Sequence, residues 1–108
     1  MYDDVIELVS IQYTTDASGN QIPMRTTRTV FCRVRSVSRS EFYSAAQNNL
    51  HPEYIFTLSH FMDYSGETEI YYTDWTGTRK NFVVVRTYRV PNSDELEITV
   101  EERTGRNG

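Results

Sequence analysis

Residues Ser38 to Gln47, reading Ser-Arg-Ser-Glu-Phe-Tyr-Ser-Ala-Ala-Gln, hold the one strong helix signal in a chain that otherwise alternates like β-strands. Ser38 followed by Glu41 fits a capping box, and Ser40 is a second N-cap candidate. Ala45, Ala46 and Gln47 favour a helix, whereas Asn48, Asn49 and Pro52 end it. Phe42, Ala45 and Ala46 fall at i, i+3 and i+4, so this face is expected to plug the open end of a barrel. Tyr43 and Gln47 share a neighbouring, more polar face that can meet a partner. A lone helix between strands in a chain this short restricts the fold more than any other pattern here.

The rest of the sequence divides into six strand segments. The first covers residues 5–14, with Val5, Val9, Ile11 and Tyr13 on one parity and Glu7 interrupting it. A turn-rich loop, Asp16 to Pro23, follows and is longer than a tight hairpin needs. The second strand covers 25–37, with Val30, Cys32 and Val34 facing one way and Arg33 and Arg35 the other. After the helix come a third strand at 54–62 (Tyr54, Phe56, Leu58 and Met62 on one parity) and a fourth at 68–73. The turn Asp74-Trp-Thr-Gly-Thr78 places Gly77 where a positive φ is needed. A fifth strand at 80–90 contains Phe82-Val-Val-Val85, apolar on both parities and expected to be buried on both sides. In the last strand Leu96, Ile98 and Val100 alternate cleanly with Glu95, Glu97, Thr99 and Glu101. The tail from Arg103 to Gly108 is polar, as frayed ends are. These segments predict a mainly β fold in one domain spanning 1–108: a small antiparallel six-stranded barrel or sandwich, with the short helix between strands two and three.

The length of 108 residues supports one small core. Only 38% of residues are apolar, but 13% are aromatic, and rings that bury large areas make a compact β-core feasible. A net charge of −4 argues against general phosphate binding. Ten of the eleven cations are arginine, which favours planar pairing with carboxylates, as at protein interfaces. The single cysteine, Cys32, forms no internal disulfide and fits a reducing compartment. No apolar run approaches membrane-spanning length and no signal-peptide core follows Met1, so a soluble protein outside the standard secretory route is expected.

Catalytic and metal-binding patterns are weak. His51 and His60 have no further ligand at metal spacing, and His60, on the parity of Phe56 and Leu58, is expected at the rim of the core. Cys32, between Val30 and Val34, reads as a buried small hydrophobe. No phosphate-cradling glycine loop occurs. Glu95, Glu97 and Glu101 share a strand face that reads as solvated or interface-facing, not as an acid–base pair. The residues therefore point to no enzyme, no cofactor and no metal.

Two charged faces stand out. Arg33 and Arg35 line strand two, with Arg25, Arg28 and Arg39 extending the basic region, while Glu95, Glu97 and Glu101 line the last strand. Intramolecular cross-strand pairing, at roughly 0.2–1 kcal/mol per pair, is one reading. The other is that a basic edge of one subunit meets an acidic edge of its neighbour, a head-to-tail contact of the kind that closes rings.

In order along the chain, Met1-Tyr-Asp-Asp-Val-Ile-Glu-Leu8, Val37-Ser-Arg-Ser-Glu-Phe-Tyr43, Pro52-Glu-Tyr54, Asp63-Tyr64, Glu69-Ile-Tyr-Tyr72, Phe82–Tyr88 and Glu95-Leu-Glu-Ile98 resemble the head-completion, or head–tail adaptor, proteins of long-tailed bacteriophages. The chain departs from that family's usual pattern in its last loop, which has Pro91-Asn-Ser-Asp94 and no glycine. The resemblance implies a structural neck protein: a small β-barrel with one helix, a monomer in isolation that joins a dodecameric ring beneath the portal. Its implied partners are the portal or adaptor ring and tail-completion proteins, with double-stranded DNA passing through unread and no membrane contact. It implies a place in the virion after a stay in the host cytoplasm. The segment from Arg39 to Tyr54 would then approach the channel or its gate, and Asp16–Pro23 would dock on a neighbouring ring. Residues singled out for interfaces or the channel are Asp16, Asn20, Arg33, Arg35, Arg39, Glu41, Tyr43, Gln47, Glu97 and Glu101.

Two alternatives stand beside this. One is a tail-completion protein of similar fold. The other is a barrel that binds single-stranded nucleic acid on tyrosines and arginines. Tyr13, Tyr54, Tyr71 and Tyr88 mostly share parity with apolar residues, which predicts core positions and argues against a stacking platform.

Overall fold

A computed structural model describes residues 2–47 and 51–102. Six strands, β1 (Asp4–Thr15), β2 (Gln21–Ser36), β3 (Tyr54–Leu58), β4 (Glu69–Thr73), β5 (Arg79–Arg89) and β6 (Leu96–Glu102), close into an antiparallel barrel. Around the barrel the order is β1-β2-β3-β6-β5-β4. One helix, α1 (Arg39–Ala46), lies between β2 and β3, and a single 3₁₀ turn (Phe61–Asp63) follows β3. The barrel alternative of the sequence reading is therefore the observed one. The expected helix stop at Asn48 and Asn49 and the tail 103–108 lie outside the described residues.

The bore is filled by alternate residues from every strand, among them Ile6 and Leu8 of β1, Val30 and Cys32 of β2, and Ile98 and Val100 of β6. At the end where β2 leaves the barrel, the rings of Tyr54, Phe56, Tyr72 and Phe82 pack mostly edge-to-face, with centroids 5.2–6.4 Å apart. That geometry sets positive ring edges against negative faces and adds to the burial of each ring. His60 sits at the rim: its Nδ1 accepts the Met62 N–H at 3.1 Å and its ring stacks on Phe61.

Several expectations are corrected. In β1 the core-facing parity is that of Ile6 and Leu8; of the opposite parity Val9 is buried, but Val5, Ile11 and Tyr13 are exposed. Glu7, which pairs with Arg79 outside the barrel, marks that outer parity. β2 already begins at Gln21, so the loop shrinks to Asp16–Asn20. β3 ends at Leu58, and Met62 lies exposed in the 3₁₀ turn. Of Phe82–Val85 only Phe82 is fully buried: Val83 alternates to the opposite face, and the β5–β6 register shift between Val84 and Arg86 makes Val85 the residue of a bulge. The helix does not plug the barrel: the four rings already occupy that end, and Phe42 stays 38% exposed against Tyr43 and His51, while the side chain of Ala45 lies outside the described residues.

The β1–β2 ladder runs unbroken from Asp4↔Cys32 to Thr15↔Gln21. Yet β4 pairs with β1 only over Glu7–Val9, and β3 pairs with β2 only over Cys32–Ser36. The stretch from Ser10 to Thr26 therefore leaves the barrel as a two-stranded arm. It helps to make the molecule 51 Å long against 33 and 29 Å across.

Candidate functional site

The residues singled out in the sequence do not form one site. β2 carries the arm at its start and the helix at its end. With about 3.3 Å of rise per residue, these two groups lie far apart along the strand.

At the helix end the capping box is complete. The Ser38 N–H donates to Glu41 Oε1 at 2.9 Å and the Glu41 N–H donates to Ser38 Oγ at 3.2 Å. Arg35 Nη1 and Nη2 donate to the two oxygens of Glu41, each at 3.2 Å. These donors, Arg35 first and then Ser38, hold the Glu41 carboxyl down at about 2. Arg39 opens the helix on an exposed face, and Tyr43 and Gln47 are exposed as the sequence suggests. An open cleft of about 640 Å³ lies here, lined by Val37, Arg39, Phe42, Tyr43, Pro52 and Glu53.

The charged strands resolve differently from an edge-to-edge picture. β6 lies between β3 and β5 in the closed barrel, so it presents no acidic edge. Arg33 pairs with Glu95 at 3.4 Å and its guanidinium lies 5.4 Å from the Tyr2 ring, whose hydroxyl also donates to Glu95. Glu101 accepts the His51 backbone N–H at 3.0 Å and so pins the return from α1 to β3. Glu97 is half-buried, opposite Thr57 on one side and Tyr88 on the other, and its charge adds to that of Glu41 on Arg35. Arg25 and Arg28 are held by Glu69 and Glu67, each at 2.9 Å. Burial pushes the Glu67 carboxyl up, but the Ser65 N–H and Arg28 outweigh it and the net shift is downward.

At the arm end, Asp16 organises a five-residue turn. Its Oδ1 accepts the N–H groups of Ser18 and Asn20 at 2.9 Å each, and its backbone oxygen accepts that of Gly19, which sits at φ +84°. Asn20 is exposed beside it. Behind the turn, Ile11, Tyr13, Ile22 and Met24 are all exposed. Tyr88 of β5 is exposed too, so for Tyr13 and Tyr88 the expected core position is wrong, while Tyr54 packs in the core. Tyr71 faces outward under the Arg79 guanidinium, 3.9 Å from its ring centre.

Sequence reasoning missed the arm as an element. Its signal was present in Ile22 and Met24, which continue the alternation of β2 back through Pro23. Among the described residues no three His, Cys, Asp or Glu side chains gather as a metal site. The Cys32 thiol is buried, and burial pushes it up to about 12.

No protein-family model matches the chain, and no curated protein matches it. A solved structure does: the solution structure of protein SF1141 from Shigella flexneri 2a, at 16% identity, superposes with a TM-score of 0.80 over 97% of this chain and 96% of that one. The likeness is one of fold.

Proposed function

We propose that this chain is a structural connector subunit of a bacteriophage or prophage neck, a ring-forming barrel that joins head to tail beneath the portal. The observation that carries this reading is the placement of two projecting elements on one closed barrel. The β1–β2 arm leaves one end of β2 and the α1 segment follows the other, so one subunit can reach a ring neighbour and the channel or next ring at once. The order strand, strand, helix, four strands is also the order on which the sequence resemblance rests. Five arginines pair with internal carboxylates, and among the described residues Arg39, Arg86 and Arg89 are the arginines outside ion pairs, which suits a wall that DNA slides past. In this reading the portal or adaptor ring and a tail-completion protein are its partners, and its work needs no catalysis and no cofactor.

Purified portal rings incubated with this chain and viewed by electron microscopy test it. The expected result is an added ring of density on the portal's tail-facing end. Absence of binding, together with micromolar binding of single-stranded DNA in a filter assay at physiological salt, overturns it in favour of a nucleic-acid-binding barrel.

A further inference from the structure

We propose that the open edge of the β1–β2 arm pairs with the same edge of a second copy of this chain, giving a two-fold dimer through a four-stranded sheet. The inference does not rest on the neck reading; it departs from the monomer in isolation that the resemblance implies, and it gives the same arm a partner in the free protein.

The arm has two outer edges, and one of them is blocked. Pro23 lies opposite Tyr13 within the ladder. A proline has no N–H to give and tolerates a paired strand only with its nitrogen turned away from the ladder. Pro23 therefore sits with its nitrogen on the outer edge of β2 and denies that edge a donor. The same geometry fixes the other strand: opposite residues in an antiparallel ladder point their N–H groups alike, both inward or both outward. Tyr13, and with it Ile11, thus turn their N–H and C=O groups to the outer edge of β1. β4 takes up this edge only as far as Val9. Past that point a groove of about 270 Å³ opens between Val9–Ile11 and Ser65–Thr68, beside the end of the proposed pairing.

The occupant follows from self-complementarity. Two copies of Ser10-Ile11-Gln12-Tyr13-Thr14 laid antiparallel about Gln12 place Ile11 opposite Tyr13 of the second copy, and Tyr13 opposite its Ile11. These are the residues whose backbone groups face outward, so each such pair exchanges two backbone hydrogen bonds. On that face an aromatic meets a β-branched side chain, a favourable cross-strand pair. On the other face Gln12 meets Gln12, and Ser10 meets Thr14. The five residues carry no charge, so nothing on the paired strands repels a like-charged copy. A shift by one residue would set apolar side chains on the face of polar ones. Exposed strand edges are commonly guarded by lysine, proline or a bulge; the β2 edge has its proline and the β1 edge has none of these.

Sedimentation velocity across a concentration series tests the proposal. The wild-type chain is expected to pass from monomer to dimer as concentration rises. Ile11→Lys with Tyr13→Lys sets lysine against lysine in both cross-copy pairs, and its association constant is expected to fall about tenfold or more. Both positions are exposed, and circular dichroism verifies that the variant keeps its fold. Ile11→Glu with Tyr13→Glu is expected to behave the same way alone, and an equimolar mixture of the two variants to regain the dimer. A wild-type chain that stays monomeric at millimolar concentration, a lysine variant that dimerises like wild type, or a mixture that fails to associate each overturns the proposal.

Discussion

Arg35, near the end of β2, grips Glu41, in the first turn of α1, through two contacts of 3.2 Å, and Glu41 at the same time closes the capping box with Ser38. One carboxylate thus starts the helix and ties it to the barrel.

Glu41→Gln is expected to loosen α1 more than Arg35→Gln does. The first change weakens both the ion pair and the charge-assisted cap. The second removes only a half-exposed ion pair of about 0.2–1 kcal/mol. Hydrogen exchange at Phe42–Ala46 reads the difference. The sign with pH follows from the depressed carboxyl: the contribution is complete above the unfolded value of about 4.3 and is lost as pH falls through about 2. Helix protection should decline across that acid window and stay level above it.

Phe82→Ala is expected to cost about 3–5 kcal/mol in denaturant unfolding, because it empties a fully buried position among the packed rings. Phe42→Ala should cost about 1 kcal/mol or less, since the ring is already exposed. Equal losses would return the helix to the role of a barrel plug.

Asn92 occupies the left-handed region at φ 58° in the turn between β5 and β6. It takes there the conformation that a glycine adopts freely, which accounts for a last loop without one. Asn92→Gly is expected to be close to neutral in thermal unfolding, and Asn92→Val to cost about 1–2 kcal/mol.

Cys32 should resist thiol reagents at pH 8 in the native protein and react at once when the chain is unfolded. Burial holds the thiol up to about 12, so almost no thiolate forms at that pH. Above an unfolded value of about 8.5 the unfolded chain ionises and the folded one does not, so stability declines as pH rises toward 12. Cys32→Ser is expected to cost roughly 1–3 kcal/mol by burying a hydroxyl without a partner.

The strands that pack on one side only were legible in the sequence. β6 reads Leu96, Ile98, Val100 inward, and its Glu residues show the face. β1 was misread because apolar residues fill both of its parities for different reasons. Ile6 and Leu8 fill the bore, while Ile11 and Tyr13 belong to an arm with no core beneath it. Periodicity reports which residues share a face, not whether that face is covered. The same limit hid the exposure of Tyr88. The capping box was legible because it is local, written in Ser38 and Glu41. That the helix leaves the barrel end to others depends on rings from β3, β4 and β5, which no local pattern brings together. The pairing of Arg33 with Glu95 and of Arg25 with Glu69 is likewise set by strand order.

β2 runs without a break from the turn at Asp16–Asn20 to the Arg35–Glu41 pair. In mechanical terms it is a single tie rod. A load applied at the tip reaches the base of α1 along one backbone, braced on its flank by β1 for most of its length and gripped at its far end by β3. The neighbouring strands share that load, and what remains reaches the helix only through the short connection Val37–Ser38, so the arm and α1 keep a fixed spacing on one strand.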